Sequence, residues 1–522
     1  MAYNSLLYLI FFAIVFLLYF IFPKRWRWGV LLAGSIFFYI YSSKALALFL
    51  LGSIASIYAG GLFIQKNNDA FKEKKGALDK SERKTLKEKT KKKNYRILTC
   101  IVVVNIGILA FLKYFNFIGG SFNEAFNALN LPAKVPVLKL VLPLGISFYT
   151  LQAISYIVDV YRGKIKADRN FGRLMLFMSF FPQMVEGPIG RYDVMAPQLY
   201  QGNSFRYENL QKGLYLIVWG FIKKMVLADR CAILVNTVFD DFNKYSGGAV
   251  AAAVILYTIQ IYAEFSGVMD IVNGSAKILG IDMMENFRQP FFSGSVQEFW
   301  RRWHITLGAW LRDYVFYSVS FSKKFVALNK KCKEKFSDHF GKLIPMAVSL
   351  FCVWFLNGIW HGASWKYIFY GLYYYLILMM GKAFEPCTNK LTARLKMNPQ
   401  GKSYRVFQIL RTCLLVCCGM LIFRADSVSD AASMFASLFH ASATSITSLG
   451  LKSGDFIVIA VCTVLLFVYS LYKEKGTDLL EKLASLNPII RIVVYMVALY
   501  TLIIFGIYGN GAPVSTFIYG QF

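Results

Sequence analysis

Ile97-Leu-Thr-Cys-Ile-Val-Val-Val-Asn-Ile-Gly-Ile-Leu-Ala-Phe-Leu-Lys-Tyr-Phe-Asn-Phe-Ile118 is an apolar run that carries a single charge, Lys113, and follows the basic stretch Lys91-Lys-Lys-Asn-Tyr-Arg96. A helix needs about 20 mostly apolar residues to cross a hydrocarbon core about 30 Å thick. This run is long enough. Similar stretches recur along the chain, at Leu6–Phe22, Gly29–Ser42, Ala45–Ile64, Val135–Val160, Leu174–Val185, Leu214–Val238, Ala249–Ile281, Ile344–Trp360, Tyr367–Met380, Val406–Phe423, Phe456–Tyr472 and Ile489–Tyr508. The 522 residues are 57% hydrophobic and 17% aromatic, with a mean hydropathy of +0.47. Soluble domains are about 45–50% apolar on a broader residue set, so a water-soluble globule is excluded. The fold class is all-α, a polytopic transmembrane helical bundle, read as one integral-membrane domain over residues 1–522 with C-terminal helices in 424–522.

The charge locates the loops. Lys and Arg number 58 against 29 Asp and Glu, a formal net charge of +29. Cations at this density belong in loops facing anionic headgroups on the cytoplasmic side, a simpler reading than nucleic-acid binding. Leu6–Phe22 lacks a preceding basic region and a following small-residue cleavage site, so it reads as a retained span and not a signal peptide. Lys24, Arg25 and Arg27 with Trp26 and Trp28 mark a cytoplasmic boundary after it, which places Met1 outside. Two further crossings bring Lys66–Arg96, with thirteen Lys/Arg against five acids, back to the cytoplasm. This segment reads as a solvated helical loop touching anionic lipid; docking of an acidic carrier protein is the alternative. Gly29–Ser42 is short for a span and reads as tilted or interfacial.

Breaks within the apolar runs, at Pro143 and Gly145 and at Pro182, Gly187 and Pro188, imply backbone that is buried in protein or lines a cavity. No internal repeat supports an inverted-repeat transporter. Nine cysteines form no paired motif, and Cys413, Cys417 and Cys418 read as packing residues. There is no Gly-rich phosphate loop, nucleophile elbow or zinc-binding histidine pair, so no metal is expected. Glu264 and Asp270 are six positions apart and off a common helix face; each reads as bonded to a neighbouring helix.

Of four histidines, His339 and His440 lie in or near loops and read as surface residues. His361 closes Phe351-Cys-Val-Trp-Phe-Leu-Asn-Gly-Ile-Trp-His361, with Gly362 after it. Asn357 and His361 share a face of a continuous helix at i, i+4, and an ionisable group inside a membrane span reads as functional by default. A buried histidine satisfied by a helix carbonyl is the plainer alternative. His304 lies in Glu298-Phe-Trp-Arg-Arg-Trp-His-Ile-Thr-Leu-Gly-Ala-Trp-Leu-Arg-Asp313, where Trp300, His304, Leu307 and Leu311 trace one face at helical spacing. The composition is that of an interfacial amphipathic helix.

Together these two histidine segments resemble the membrane-bound O-acyltransferase family, and in particular its alginate-acetylating branch. Leu142–Gln152, Tyr156–Gly163, Phe180–Gln183, Gly187–Arg191, Trp219–Arg230, Phe423–Asp426 and the terminal Phe517–Phe522 extend the resemblance over most of the chain, whereas Glu264–Asp270 and the segment after Asp313 depart from the family pattern. The resemblance implies a ring of helices around a central tunnel with re-entrant or interfacial helices. It assigns His361 as the principal catalytic residue and His304 as the second, supported by Asn357, Trp303, Trp360, Arg312 and Asp313. It further implies an O-acyltransferase in a bacterial plasma membrane that holds no bound cofactor. An acyl thioester, acetyl-CoA or an acyl carrier, would donate from the cytoplasmic side for O-acylation of a secreted or envelope polysaccharide, with an extracytoplasmic transferase as partner protein. D-alanyl transfer to teichoic acid, a transporter or flippase, and a non-catalytic scaffold are the competing readings.

Overall fold

The computed structural model describes residues 1–440 and 449–508; the Phe517–Phe522 stretch lies outside them. Among the described residues the regular structure is helical, without a β-strand; an isolated antiparallel bridge joins Phe287 to Trp303. Seven helical stretches are long and apolar enough to cross a membrane. The chain divides into two compact units, Met1–Leu214 with Val272–Met284, and Tyr215–Ile271 with Glu285–Phe522.

The first unit begins with α1 (Leu6–Ile21), α2 (Arg27–Ser43), α3 (Ala47–Lys74) and α4 (Lys80–Ala128). At 49 residues, α4 is about 73 Å long at 1.5 Å per residue, more than twice the hydrocarbon thickness, so its basic first third continues beyond the apolar span. Asp79 and Glu82 form a capping box at its start, which ends the turn from α3 by satisfying otherwise orphaned N–H groups. The segment 66–96 is therefore two helix extensions joined by a short turn. Asn94 binds Asn67 and Asn68 at 2.8 Å each, fastening the two extensions side by side.

The run Val135–Val160 is not one helix. Proline lacks an amide N–H, and Pro132, Pro136 and Pro143 keep residues 131–143 out of helix, with a turn at 144–145. Asparagines on α4 replace the missing partners: Asn116 exchanges two hydrogen bonds with the Leu138 backbone at 2.8 and 2.9 Å, and Asn123 does the same with Val135 at 2.9 and 2.7 Å. Helix α5 (Ile146–Arg162) starts only after Gly145, whose φ is +66°. A Cβ at Gly145 would meet the Met184 carbonyl oxygen at 2.0 Å, so the two broken segments anticipated from the sequence pack on each other. Helices α6 (Phe171–Ser179) and α7 (Tyr192–Tyr200) flank the second break.

Helix α8 (Tyr207–Phe221) leads into the second unit, where a π-helical turn, Ile222–Ala228, separates it from α9 (Asp229–Phe239). The next helix, α10 (Gly247–Ile278), packs closely there, since a Cβ on Gly220 would meet the Gly267 carbonyl oxygen at 2.5 Å. The π turn carries two lysines into the interior. Lys224 is fully buried and pairs with Asp229 at 2.8 Å and Glu264 at 3.1 Å, and Lys223 pairs with Asp270 at 2.8 Å. Glu264 and Asp270 thus bind separate partners on a neighbouring element, as their spacing implies. Buried charges are retained only when paired.

The rest of this unit comprises α11 (Val296–Arg302), α12 (Ile305–Trp310), α13 (Tyr317–Ser320), α14 (Lys323–Lys335), α15 (Asp338–His361), α16 (Trp365–Ala383), α17 (Glu385–Arg394), α18 (Lys402–Arg424), α19 (Val428–Ser437), α20 (Ser453–Glu474), α21 (Leu479–Ser485) and α22 (Pro488–Phe505). Glycines let α15 and α16 nearly touch: a Cβ on Gly358 would meet the Tyr367 carbonyl oxygen at 2.4 Å, and one on Gly371 the Trp354 carbonyl oxygen at 2.3 Å. The nine cysteines are all free thiols.

Candidate active site

Helix α15 runs unbroken to His361, so Asn357 and His361 do share its face; they are 4% and 3% exposed. The close α15–α16 approach surrounds the His361 ring with aromatic rings, Trp360 at 5.0 Å, Tyr370 at 5.6 Å and Phe423 at 5.1 Å between centroids. Phe423 belongs to α18 and closes this side.

His304 arrives differently from the continuous helix that the spacing of Trp300, His304, Leu307 and Leu311 implies. The helix breaks at Trp303 and His304, and His304 takes left-handed backbone angles, φ +47° and ψ +53°, between α11 and α12. Residues 286–288 hold the break open. The Arg288 N–H donates to the Arg302 carbonyl at 2.9 Å, and the Ile305 N–H donates to the Asn286 carbonyl at 3.0 Å. The first N–H groups of a helix have no internal acceptor, and His304 supplies no side-chain cap. Asn286 provides one from outside: its Oδ1 accepts the Thr306 N–H at 3.1 Å and the Thr306 hydroxyl at 2.6 Å, while its Nδ2 donates to the Met269 sulfur at 3.1 Å. Sequence reasoning missed Asn286 because nothing in its neighbours announces a contact twenty residues ahead.

The break does not scatter the anticipated face. Trp300, Trp303, His304, Leu307 and Leu311 still line one side of a cavity of about 60 Å³, with Val353, Trp354 and Asn357 of α15 opposite. A water's share of liquid volume is about 30 Å³, so the cavity holds a group of only a few heavy atoms. Asn357 Nδ2 and Trp300 Nε1 are buried with no hydrogen-bond partner among the described residues. Buried donors are normally paired, and two unpaired ones on one small cavity mark a place where an oxygen acceptor can be stabilised.

Phe265 lies against the His304 ring at 5.0 Å, and Trp360 bridges the histidines, 5.5 Å from His304 and 5.0 Å from His361 between ring centroids. Burial pushes the His304 imidazole down to about 3, so it is neutral at physiological pH. The structure therefore gathers His304, Asn357 and Trp303 on the cavity wall, while His361 and Trp360 lie beside it and are not among its lining residues. Arg312 and Asp313 are not among the cavity residues; they pair with each other at 3.0 Å and retain 58% and 34% side-chain exposure. No cluster of three or more His, Cys, Asp or Glu side chains that could hold a metal occurs among the described residues.

Comparison with known proteins places the chain in a family. The profile of the membrane-bound O-acyltransferase family matches residues 166–332, which include His304. The probable alginate O-acetylase of Pseudomonas aeruginosa is 32% identical over 440 residues, covering 84% of this chain and 75% of that protein. Its Pseudomonas syringae pv. tomato counterpart is 34% identical over 338 residues, 65% of this chain, and there the match spans 59% of the relative's length. The teichoic acid D-alanyltransferase of Bacillus subtilis is 30% identical over 287 residues, 54% of this chain and 68% of that protein. The chain is a multi-pass bacterial membrane protein and belongs to the membrane-bound O-acyltransferase family.

Proposed function

We propose that this protein transfers an acyl group, specifically acetyl, from a thioester donor on the cytoplasmic side toward hydroxyls of a secreted or cell-envelope polysaccharide. The observation that carries the reading is the cavity of about 60 Å³ that His304 and Asn357 share, beside His361. Its size admits a small acyl group. The acceptor oxygen attacks the thioester carbonyl, His361 takes the hydroxyl proton, the carbon–sulfur bond breaks, and His361 passes that proton to the departing thiolate to release a thiol. Neutral His304 serves as a hydrogen-bonding group on the cavity wall. The Asn357 amide and Trp300 indole N–H groups stabilise the oxyanion that develops on the carbonyl. Positioned general-base catalysis contributes about 10²- to 10⁴-fold, and loss of one oxyanion donor costs about 10²- to 10³-fold.

The donor is acetyl-CoA or an acetylated carrier, and an extracytoplasmic transferase completes delivery to the polymer. Acetyl is favoured over D-alanyl because the acetylating relative from P. aeruginosa aligns with 84% of the chain, the D-alanylating relative from B. subtilis with 54%. The test is base-labile acetate and D-alanine released from purified envelope polysaccharide of cells with and without this protein. Acetate alone falls on this reading. A fall in D-alanine alone transfers the assignment to that chemistry, and no change in either removes the acyl-transfer reading in favour of transport or scaffolding.

A further inference from the structure

A long apolar groove lies within the first unit, away from both histidines in the chain. Its volume is about 660 Å³, and α1 and α2 form its walls. Leu7, Ile10 and Ile14 of α1 and Phe37 of α2 line it while remaining 44–56% exposed. Its floor is open at Gly29, where a Cβ would meet nothing within 4 Å. Trp26 and Tyr41 stand near opposite ends, about 22 Å apart at 1.5 Å per residue. Aromatic residues of this kind sit at the two membrane interfaces, so the groove runs through most of the apolar depth.

One end is basic. Lys24 and Arg25 occupy the short turn between Phe22 and Trp26, both exposed and without an ion pair among the described residues. Arg27 is engaged otherwise, donating to the carbonyls of Phe22, Phe20 and Asn203. The turn is thereby fixed while the two cations beside it are left available. Bulky side chains on both walls over an open glycine floor suit a flexible hydrocarbon chain better than a helix some 10 Å across.

We infer that this groove is a binding site for a phospholipid with a negatively charged headgroup, one acyl chain lying between α1 and α2 and the phosphate held by Lys24 and Arg25. Each cation near an anionic headgroup changes affinity about fivefold. The experiment measures binding of phosphatidylglycerol and phosphatidylcholine to the full-length protein in detergent by native mass spectrometry, with acetyl transfer playing no part in the readout. The wild type retains phosphatidylglycerol preferentially. Lys24→Gln with Arg25→Gln lowers that affinity by about 25-fold and abolishes the preference, and Gly29→Leu, whose Cβ meets nothing within 4 Å and whose side chain extends into the floor, displaces both lipids. Equal retention of the two lipids by the wild type, unchanged binding in either variant, or cross-linking of the groove to a helix of a second copy or another protein would overturn the inference.

Discussion

Asn286→Ala removes the external cap that holds His304 in its left-handed conformation. The substitution deprives the Thr306 N–H and hydroxyl of their shared acceptor, at 3.1 and 2.6 Å, in a site where Asn286 is only 2% exposed. Losing a helix cap costs about 1 kcal/mol, and a buried polar group left unsatisfied costs about 1–3 kcal/mol. The sum, about 2–4 kcal/mol, falls on the two-turn helix α12 and the break before it. A misplacement of about 1 Å at a reacting group lowers rates by about 100-fold, so transfer falls by that order while the rest of the fold remains assembled. Thr306→Val removes the hydroxyl alone, leaves the Asn286–amide bond in place, and has the smaller effect. The assay is the initial rate of acetyl incorporation into polysaccharide at matched membrane abundance, alongside thermal unfolding in detergent. A wild-type rate in Asn286→Ala, or a loss no larger than the fall in protein abundance, would refute the positioning argument.

Three other perturbations probe different parts of the structure. Lys224→Met leaves Asp229 and Glu264 buried without their shared cation; breaking a buried pair costs about 3–5 kcal/mol, so the unfolding midpoint drops sharply, and adding Glu264→Gln recovers part of it. Gly358→Ala drives a methyl against the Tyr367 carbonyl, 2.4 Å from the Cβ position; overpacking costs about 1–3 kcal/mol, and the α15 shift lowers transfer further than the stability loss explains. His304 and Glu298 both contribute acid sensitivity. The His304 pKa falls from an ordinary 6.5 to about 3 through burial, so the unfolded state gains protons first and stability declines as the pH drops below 6.5. Glu298 adds a second loss below 4.5, its ordinary value: burial opposes its charge, but hydrogen bonds from Arg405 and the Gly294 N–H, with Arg302 nearby, hold its carboxyl below that value. Unfolding midpoints measured from pH 8 to 4 show the decline, and His304→Gln removes the part between 6.5 and 4.5.

The sequence made the spans legible because twenty apolar residues in a row have one physical use. It also made Asn357 and His361 legible as a pair, since a helix that stays continuous keeps i and i+4 on one face. His304 was legible as a residue and not as a conformation. The spacing of Trp300, His304, Leu307 and Leu311 fits an unbroken helix equally well, and the break depends on Asn286 and Arg288, which no local pattern connects to it. The non-helical segment 131–145 was similarly half visible: Pro143 and Gly145 announced a break, but the asparagines of α4 that satisfy its backbone lie on another element. Arg312 and Asp313 entered through the resemblance of the segment around His304, and the structure shows them paired with each other outside the cavity lining.

On the proposed reading, His361 takes the acceptor's proton beside the cavity that His304 and Asn357 line. Base-labile acetate released from envelope polysaccharide, compared between cells carrying the wild type and His361→Ala at equal membrane abundance, tests it most directly. Acetate falls in the variant to the level of cells lacking the protein if the claim is right; acetate at the wild-type level would contradict it.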